Sequence, residues 1–192
     1  MNNTLLYTVL LLVAIGGGVI ITACGGTRSR SESAPYEVVR TDGDFEVRKY
    51  PELVVVETPR RDGDNSFGRL FRYISGDNTA AQKISMTTPV FMAGESTNAT
   101  MAFVLPQGKP APQPKGADVT VKTLPAGTFA VFRYSGRRNA RREAEALARL
   151  TAWQQRENLP AAGAPVYGYF DPPWTPPFLR RNEVMVPVAV TR

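Results

Sequence analysis

Any chemistry in this chain is done without histidine. There is none among the 192 residues, which excludes His-based triads, His-bound zinc and other His-ligated metal centres. The single cysteine, Cys24, has no partner for an internal disulfide. Carboxylates, lysines and tyrosines remain for proton transfer. Glu46, Glu57 and Glu183 share no spacing that would make an acid–base pair. Glu183, in "RRNEV", reads instead as the ion-pair partner of Arg180 or Arg181. Asp62, Asp64 and Ser66 stand at calcium-loop spacing, but Phe67 occupies the place where such a loop needs glycine, so the stretch reads as a turn and helix cap. On residue chemistry alone the chain reads as a binder and not as an enzyme.

The charge balance says what kind of partner suits it. Net charge is +6, and all 23 lysines and arginines follow the amino-terminal apolar run. That excess favours phospholipid headgroups, a dicarboxylate ligand or nucleic acid. Nucleic acid ranks last, because the pairs Arg60–Arg61, Arg137–Arg138, Arg141–Arg142 and Arg180–Arg181 are dispersed and no binding motif accompanies them.

The elements that would position such residues follow a repeated plan. "FEVRKYPELVVVETP" (45–59) reads as two strands turning at Pro51-Glu52. A helix follows, capped by Asp64, Asn65 or Ser66, with Phe67, Leu70, Phe71 and Ile74 on its core face and Gly76 as its stop. "KISMTTPVFMAG" and "ATMAFVLP" are two further strands. After an exposed Pro-rich loop, "PQGKPAPQPKGAD", the order recurs. "VTVKTLPAGTFAVFRYSG" gives strand, Pro-containing turn and strand. A helix capped by Asn139 comes next, with Ala140, Ala144, Leu147, Leu150 and Thr151 on one face. "APVYGYFDP" and "RRNEVMVPV" close the series. Each half is strand–strand–helix–strand–strand, so the expected fold is α+β: a distorted antiparallel eight-stranded barrel of two pseudo-twofold halves with two helices packed on it.

Before the barrel, "LLYTVLLLVAIGGGVIITACGG" runs uncharged from Leu5 to small residues and Cys24. This resembles a bacterial lipoprotein signal, with Cys24 as the lipidated residue; a plain transmembrane anchor over Leu5–Ala23 is the alternative. The sequence thus divides into a signal segment (1–23), a Gly/Ser-rich tether (24–35) and a folded domain (36–192). The expected location is the bacterial cell envelope, with the domain facing the periplasm or the exterior.

Near the carboxy terminus, "YFDPPWTPPFLRRNEVMVPV" packs four prolines around Trp174. Proline fixes φ and donates no backbone hydrogen bond, so this is a stiff loop at a sheet margin, with Trp174 expected to cover apolar surface there.

Three segments carry a family resemblance: "YEVVRTDGDFEVRKYPELVVVET", "FGRLFRYISGDNTAAQKISMTTPV" and the Trp174 stretch. Over about residues 36–188 the chain resembles the SOUL/haem-binding protein family. The resemblance implies reversible, non-covalent binding of haem or another tetrapyrrole in an apolar cleft, with cations for the propionates. The implied apolar wall is Phe71, Ile74, Met86, Val90 and Met92, and the implied propionate partners are Arg69, Arg72 and Lys83. Some family members carry a proposed iron-ligating His where this chain has Lys49. An ordinary lysine amine, protonated at neutral pH, does not donate to iron, which leaves Met86, Met92 or Tyr73 as candidate ligands or a haem held by apolar contact. The ligand is expected inside the hollow of the two half-barrels, beneath a basic rim. The fold also resembles effector-binding domains of bacterial regulators, so a different apolar or amphipathic ligand is the second reading, and a structural envelope lipoprotein the third.

Overall fold

Apolar residues on both sides of nearly every strand give the sheet two faces to bury, and the chain supplies cover for both. The structure, a computed structural model, describes residues 32–61, 63–94 and 98–189; Cys24 and the Leu5–Ala23 segment lie outside them. No helix among the described residues is long and apolar enough to cross a membrane.

The first half comprises β1 (Glu32–Ser33), β2 (Glu37–Asp42), β3 (Phe45–Tyr50), β4 (Leu53–Pro59), α1 (Ser66–Ile74), β5 (Thr87–Thr88), β6 (Val90–Ala93) and β7 (Thr100–Val104). The second comprises β8 (Thr120–Leu124), β9 (Gly127–Tyr134), α2 (Ala140–Arg156), β10 (Val166–Tyr169) and β11 (Asn182–Pro187). All eight expected strands and both helices form. Three strands are additional: β2 extends the sheet edge, β5 is split from the strand expected over residues 83–94, and β1, within the stretch read as tether, pairs in parallel with β5.

The nine-stranded sheet runs β2-β3-β9-β11-β10-β6-β7-β4-β8, every pair antiparallel. Exchanging equivalent strands of the two halves (β3 with β8, β4 with β9, β6 with β10, β7 with β11) reads the eight-strand list backwards. The sequence repeat is therefore a true structural twofold, with its axis between β6 and β10. The expected hairpin at Pro51 is corrected by this order. β3 and β4 do not pair; they point the same way at opposite ends of the sheet. Only Pro51 and Glu52 join them, a link that spans about 10 Å at most. The sheet must curl until its ends meet, and β3–β4 is one run kinked at proline. Pro125 and Ala126 make the same kink between β8 and β9.

Strand alternation sorts the side chains into three cores. The concave side gathers Tyr50, Leu53, Val55, Phe91, Ala102, Val104, Val131 and Met185. The convex side is covered by α1, which packs Leu70, Tyr73 and Ile74 on Val56, Met101 and Phe103, and by α2, which packs Ala146, Leu150 and Trp153 on Ala130, Phe132 and Val184. Both helices start at expected caps: of Asp64, Asn65 and Ser66 it is the Asn65 side chain that accepts from Gly68 N–H, and the Asn139 side chain accepts from Arg142 N–H. The buried arc of α2 differs from expectation, running through Ala146, Leu150, Trp153 and Gln154 while Ala140, Ala144 and Thr151 face solvent. The aromatic bulk of Trp153 sets that rotation, stacking on Phe45 at 5.2 Å.

Candidate functional site

The concave hollow, where the sequence leads us to expect the macrocycle, is small. Its apolar part, between the two proline kinks and lined by Tyr50, Leu53, Phe91, Ala102, Leu124 and Met185, has a volume of ≈ 120 Å³. Pockets for drug-sized ligands span roughly 300–1,000 Å³.

Beside the hollow the interior holds a cluster of charges. Arg48, on the inward side of β3, donates Nη1 and Nη2 to the two Glu183 oxygens of β11 at 2.7 and 3.0 Å. Its Nε reaches Glu46 at 2.6 Å, and its guanidinium lies 4.2 Å from the Tyr36 ring centre. Arg181 adds a second cation to Glu183 at 2.6 Å. Glu183 is fully buried, and the bidentate geometry and the second arginine give its two oxygens their partners. Burial works to lower the pKa of Arg48, but the hydrogen bond and charge of Glu183 outweigh it and the net shift is upward. Burial also pushes Tyr50 up to about 12. The expected pairing of Glu183 with Arg181 is present; Arg48 is the partner that sequence reasoning missed, since the contact spans 135 residues.

Surface that is apolar and open lies on the convex side, along α1. Phe67 and Phe71 are 48% and 49% exposed. Their rings are 6.1 Å apart and nearly parallel, at 14°. Phe67 meets Phe103 of β7 edge-on at 5.1 Å, and Phe103 is the cross-strand partner of Val90. Half-buried Met86, Val90 and Met92 pack on the same cluster as Ile74. The structure thus brings Phe71, Ile74, Met86, Val90 and Met92 to one side of the molecule. Both phenylalanines were expected on the core face of α1. A stripe of about 100° is what a helix buries, and Ser66, Leu70, Tyr73 and Ile74 already fill it. The surplus of large apolar residues on a nine-residue helix is the signal that marks the exposed pair.

The cations separate. Arg69 is held on the other flank of α1, bonded to Thr58 Oγ1 at 2.9 Å and to Asp64 at 2.8 Å, with a third bond to the Pro59 carbonyl. The Arg69 guanidinium holds the Asp64 carboxyl well below the usual carboxylate range. Those bonds use Nε and Nη2 and brace the start of α1. Tyr73 is buried on the same flank with its hydroxyl on the Pro112 carbonyl at 2.7 Å, away from the Phe67–Phe71 face. Arg72 and Lys83 are exposed, without an ion pair among the described residues, and Lys83 adjoins Ile84, whose N–H reaches the Ile74 carbonyl at 2.8 Å. Lys49 projects outward from β3, between buried Arg48 and Tyr50, and belongs to neither surface.

A second open groove, of ≈ 580 Å³, runs beside the carboxy-terminal part of α2, between Leu147, Thr151, Leu159, Pro160, Pro165 and Val186. It carries no charged side chain. Among the described residues no cluster of carboxylate, Cys or His ligands could hold a metal ion.

Comparison with known proteins adds family and fold. The family model described as SOUL heme-binding protein matches residues 31–187. No curated protein matches the chain. Among solved structures, the EcmrR C-terminal domain is similar over 81% of this chain and 99% of its own length, at TM-score 0.56 and 17% identity. EcmrR in its DNA complex gives TM-score 0.58 at 15% identity over 77% of this chain, which spans only 57% of that protein. A hydrolase from Listeria innocua gives TM-score 0.57 at 9% identity, over 79% of this chain and 94% of that one. At such identities the likeness is one of fold alone.

Proposed function

The chain belongs to the SOUL heme-binding protein family, and from that premise we propose that it binds haem or a related tetrapyrrole without covalent attachment, on the outer face of the sheet beside α1. The observation that carries the reading is the exposed, near-parallel Phe67–Phe71 pair continuous with Met86, Val90 and Met92. Two aligned rings suit a flat aromatic ligand, which would bury area now facing water. Lys83 and Arg72 are the exposed cations offered for two propionates, Arg72 from the flank it shares with Arg69 and Tyr73. With no histidine in the chain, the residues fit a macrocycle held by apolar contact and charge; Met86 and Met92 are the nearby groups with a lone pair for iron. The role is that of a carrier, buffer or sensor, with no catalytic step assigned. Titration of hemin into the protein should give a saturable Soret shift that Phe67→Ala/Phe71→Ala abolishes. An unchanged titration in that variant would refute the site.

The uncharged groove beside α2 favours a second reading, an apolar ligand other than a tetrapyrrole. Leu159→Glu should leave hemin binding intact and remove binding of a neutral apolar dye. We also place the domain at a bacterial envelope membrane through lipidated Cys24, a reading supported by the sequence around it. Incorporation of labelled palmitate, lost in Cys24→Ser, tests that placement.

A further inference from the structure

The loop between β10 and β11 is built to hold apolar side chains outward. Trp174 is 83% exposed and Phe178 75%, with Leu179 beside them. This corrects the expectation that Trp174 covers apolar surface of its own chain. The loop's polar backbone is used internally. Thr175 N–H bonds the Pro172 carbonyl at 3.0 Å and Leu179 N–H the Pro176 carbonyl at 2.9 Å. Arg180 closes a bracket around Trp174, its guanidinium donating to the carbonyls of Pro173 and Thr175 on either side. Gly136 N–H anchors the loop from the β9–α2 connection, on the Pro177 carbonyl at 2.9 Å. Four prolines and these bonds fix a protruding apolar finger whose main chain asks little of water, so moving it into a less polar medium costs little.

An array of guanidinium groups flanks the finger. The end of β9, the β9–α2 connection and α2 expose Arg133, Arg137, Arg138, Arg142 and Arg149. Arg137, Arg142 and Arg149 make no ion pair among the described residues, and the Arg133–Asp44 contact is a long 3.5 Å between exposed groups. Arg133, Arg142 and Arg149, with Asp44 and Glu145 among them, line an open groove of ≈ 330 Å³. The amino-terminal approach adjoins the same end: β1 pairs with Thr87–Thr88, and Val90 just beyond pairs with Tyr169 at the root of the loop. The first described residues, Glu32 and Ser33, therefore lie on the same side of the sheet as the root of the loop.

We propose that this end is a membrane-docking surface, with Trp174, Phe178 and Leu179 entering the interface of an anionic phospholipid bilayer and the arginines meeting its phosphates. Trp and Arg suit that boundary, one by its amphipathic ring and the other by charge on headgroups. The surface is separate from the α1 site and does not rest on tetrapyrrole binding.

Intrinsic fluorescence reads the proposal directly, because the second tryptophan, Trp153, is on the buried face of α2. The full chain reconstituted into vesicles of phosphatidylglycerol and phosphatidylcholine with brominated acyl chains should lose the Trp174 share of its emission, and what remains should not respond to bromine. Vesicles of phosphatidylcholine alone should quench it far less, as should high salt. Trp174→Phe, at an exposed position that leaves the fold intact, should abolish the quenching. Replacing Arg137, Arg142 and Arg149 by alanine should erase the difference between the two lipid compositions. Trp174 emission that stays water-like and unquenched in anionic vesicles, with the protein bound to them, overturns the proposal and leaves the finger to a protein partner.

Discussion

The Arg48–Glu183 pair sets the sharpest expectations for single residues. Glu183→Gln leaves a buried guanidinium short of its counter-charge, and such breakage costs about 3–5 kcal/mol; the urea midpoint should fall accordingly while the denaturant slope stays the same. Replacing Arg48 and Glu183 together by Met and Leu should recover most of that loss, because apolar groups of similar volume are often as stable in such places. Alkaline pH probes the same interior. Burial raises both Tyr50 and Tyr134 to about 12, and it raises Tyr169 as well. The unfolded chain ionises these groups near ~10, so it releases protons first. Their contribution is full below pH ~10 and is lost as pH rises toward ~12. Tyrosinate absorbance of the native protein should lag that of the unfolded chain across this window, with thermal stability falling in parallel. At this scale the sequence was only partly readable. Lys49 stands alone among residues that could be judged by type, but the bonds that occupy Arg69 and the contacts that Trp174 does not make depend on where loops pass.

For elements, α1 separates stability from binding. Its outer phenylalanines are half exposed, so Phe71→Ala should cost no more than about 1 kcal/mol of stability while weakening hemin at least tenfold, about 1.4 kcal/mol. Asn65→Ala reverses the pattern, costing about 1 kcal/mol by loss of the cap with little change in hemin affinity once folded. Parallel titrations and urea melts of the two variants distinguish these effects. Helix positions and caps were legible because they rest on residues within one or two turns of each other. The β3–β4 connection was misjudged because Pro51-Glu52 suits a tight turn and a kink equally well, and only the distant partners β9 and β7 decide between them.

In the whole molecule, the small hollow makes the location of binding testable. Ala102→Leu would place extra methylenes in the ≈ 120 Å³ concave space. Overpacking there costs roughly 1–3 kcal/mol where the space does not suffice. If the ligand sits on the convex side, the hemin affinity of this variant should match that of the parent, whereas an interior site would be closed. The two-half plan was visible in the order of elements, since pattern repeats survive when residue identity does not. The sheet order itself was not visible, because strand pairing across halves leaves no local mark. That order has a consequence for origin. β3 is completed by β9 and β8 by β4, so a polypeptide covering only residues 44–105 would lack the neighbour of its own first strand. A second copy would supply it, each molecule lending its arm to the other in a swapped homodimer. The present chain has the form of such a dimer fused into one gene product, with an exchange between molecules turned into an exchange within one.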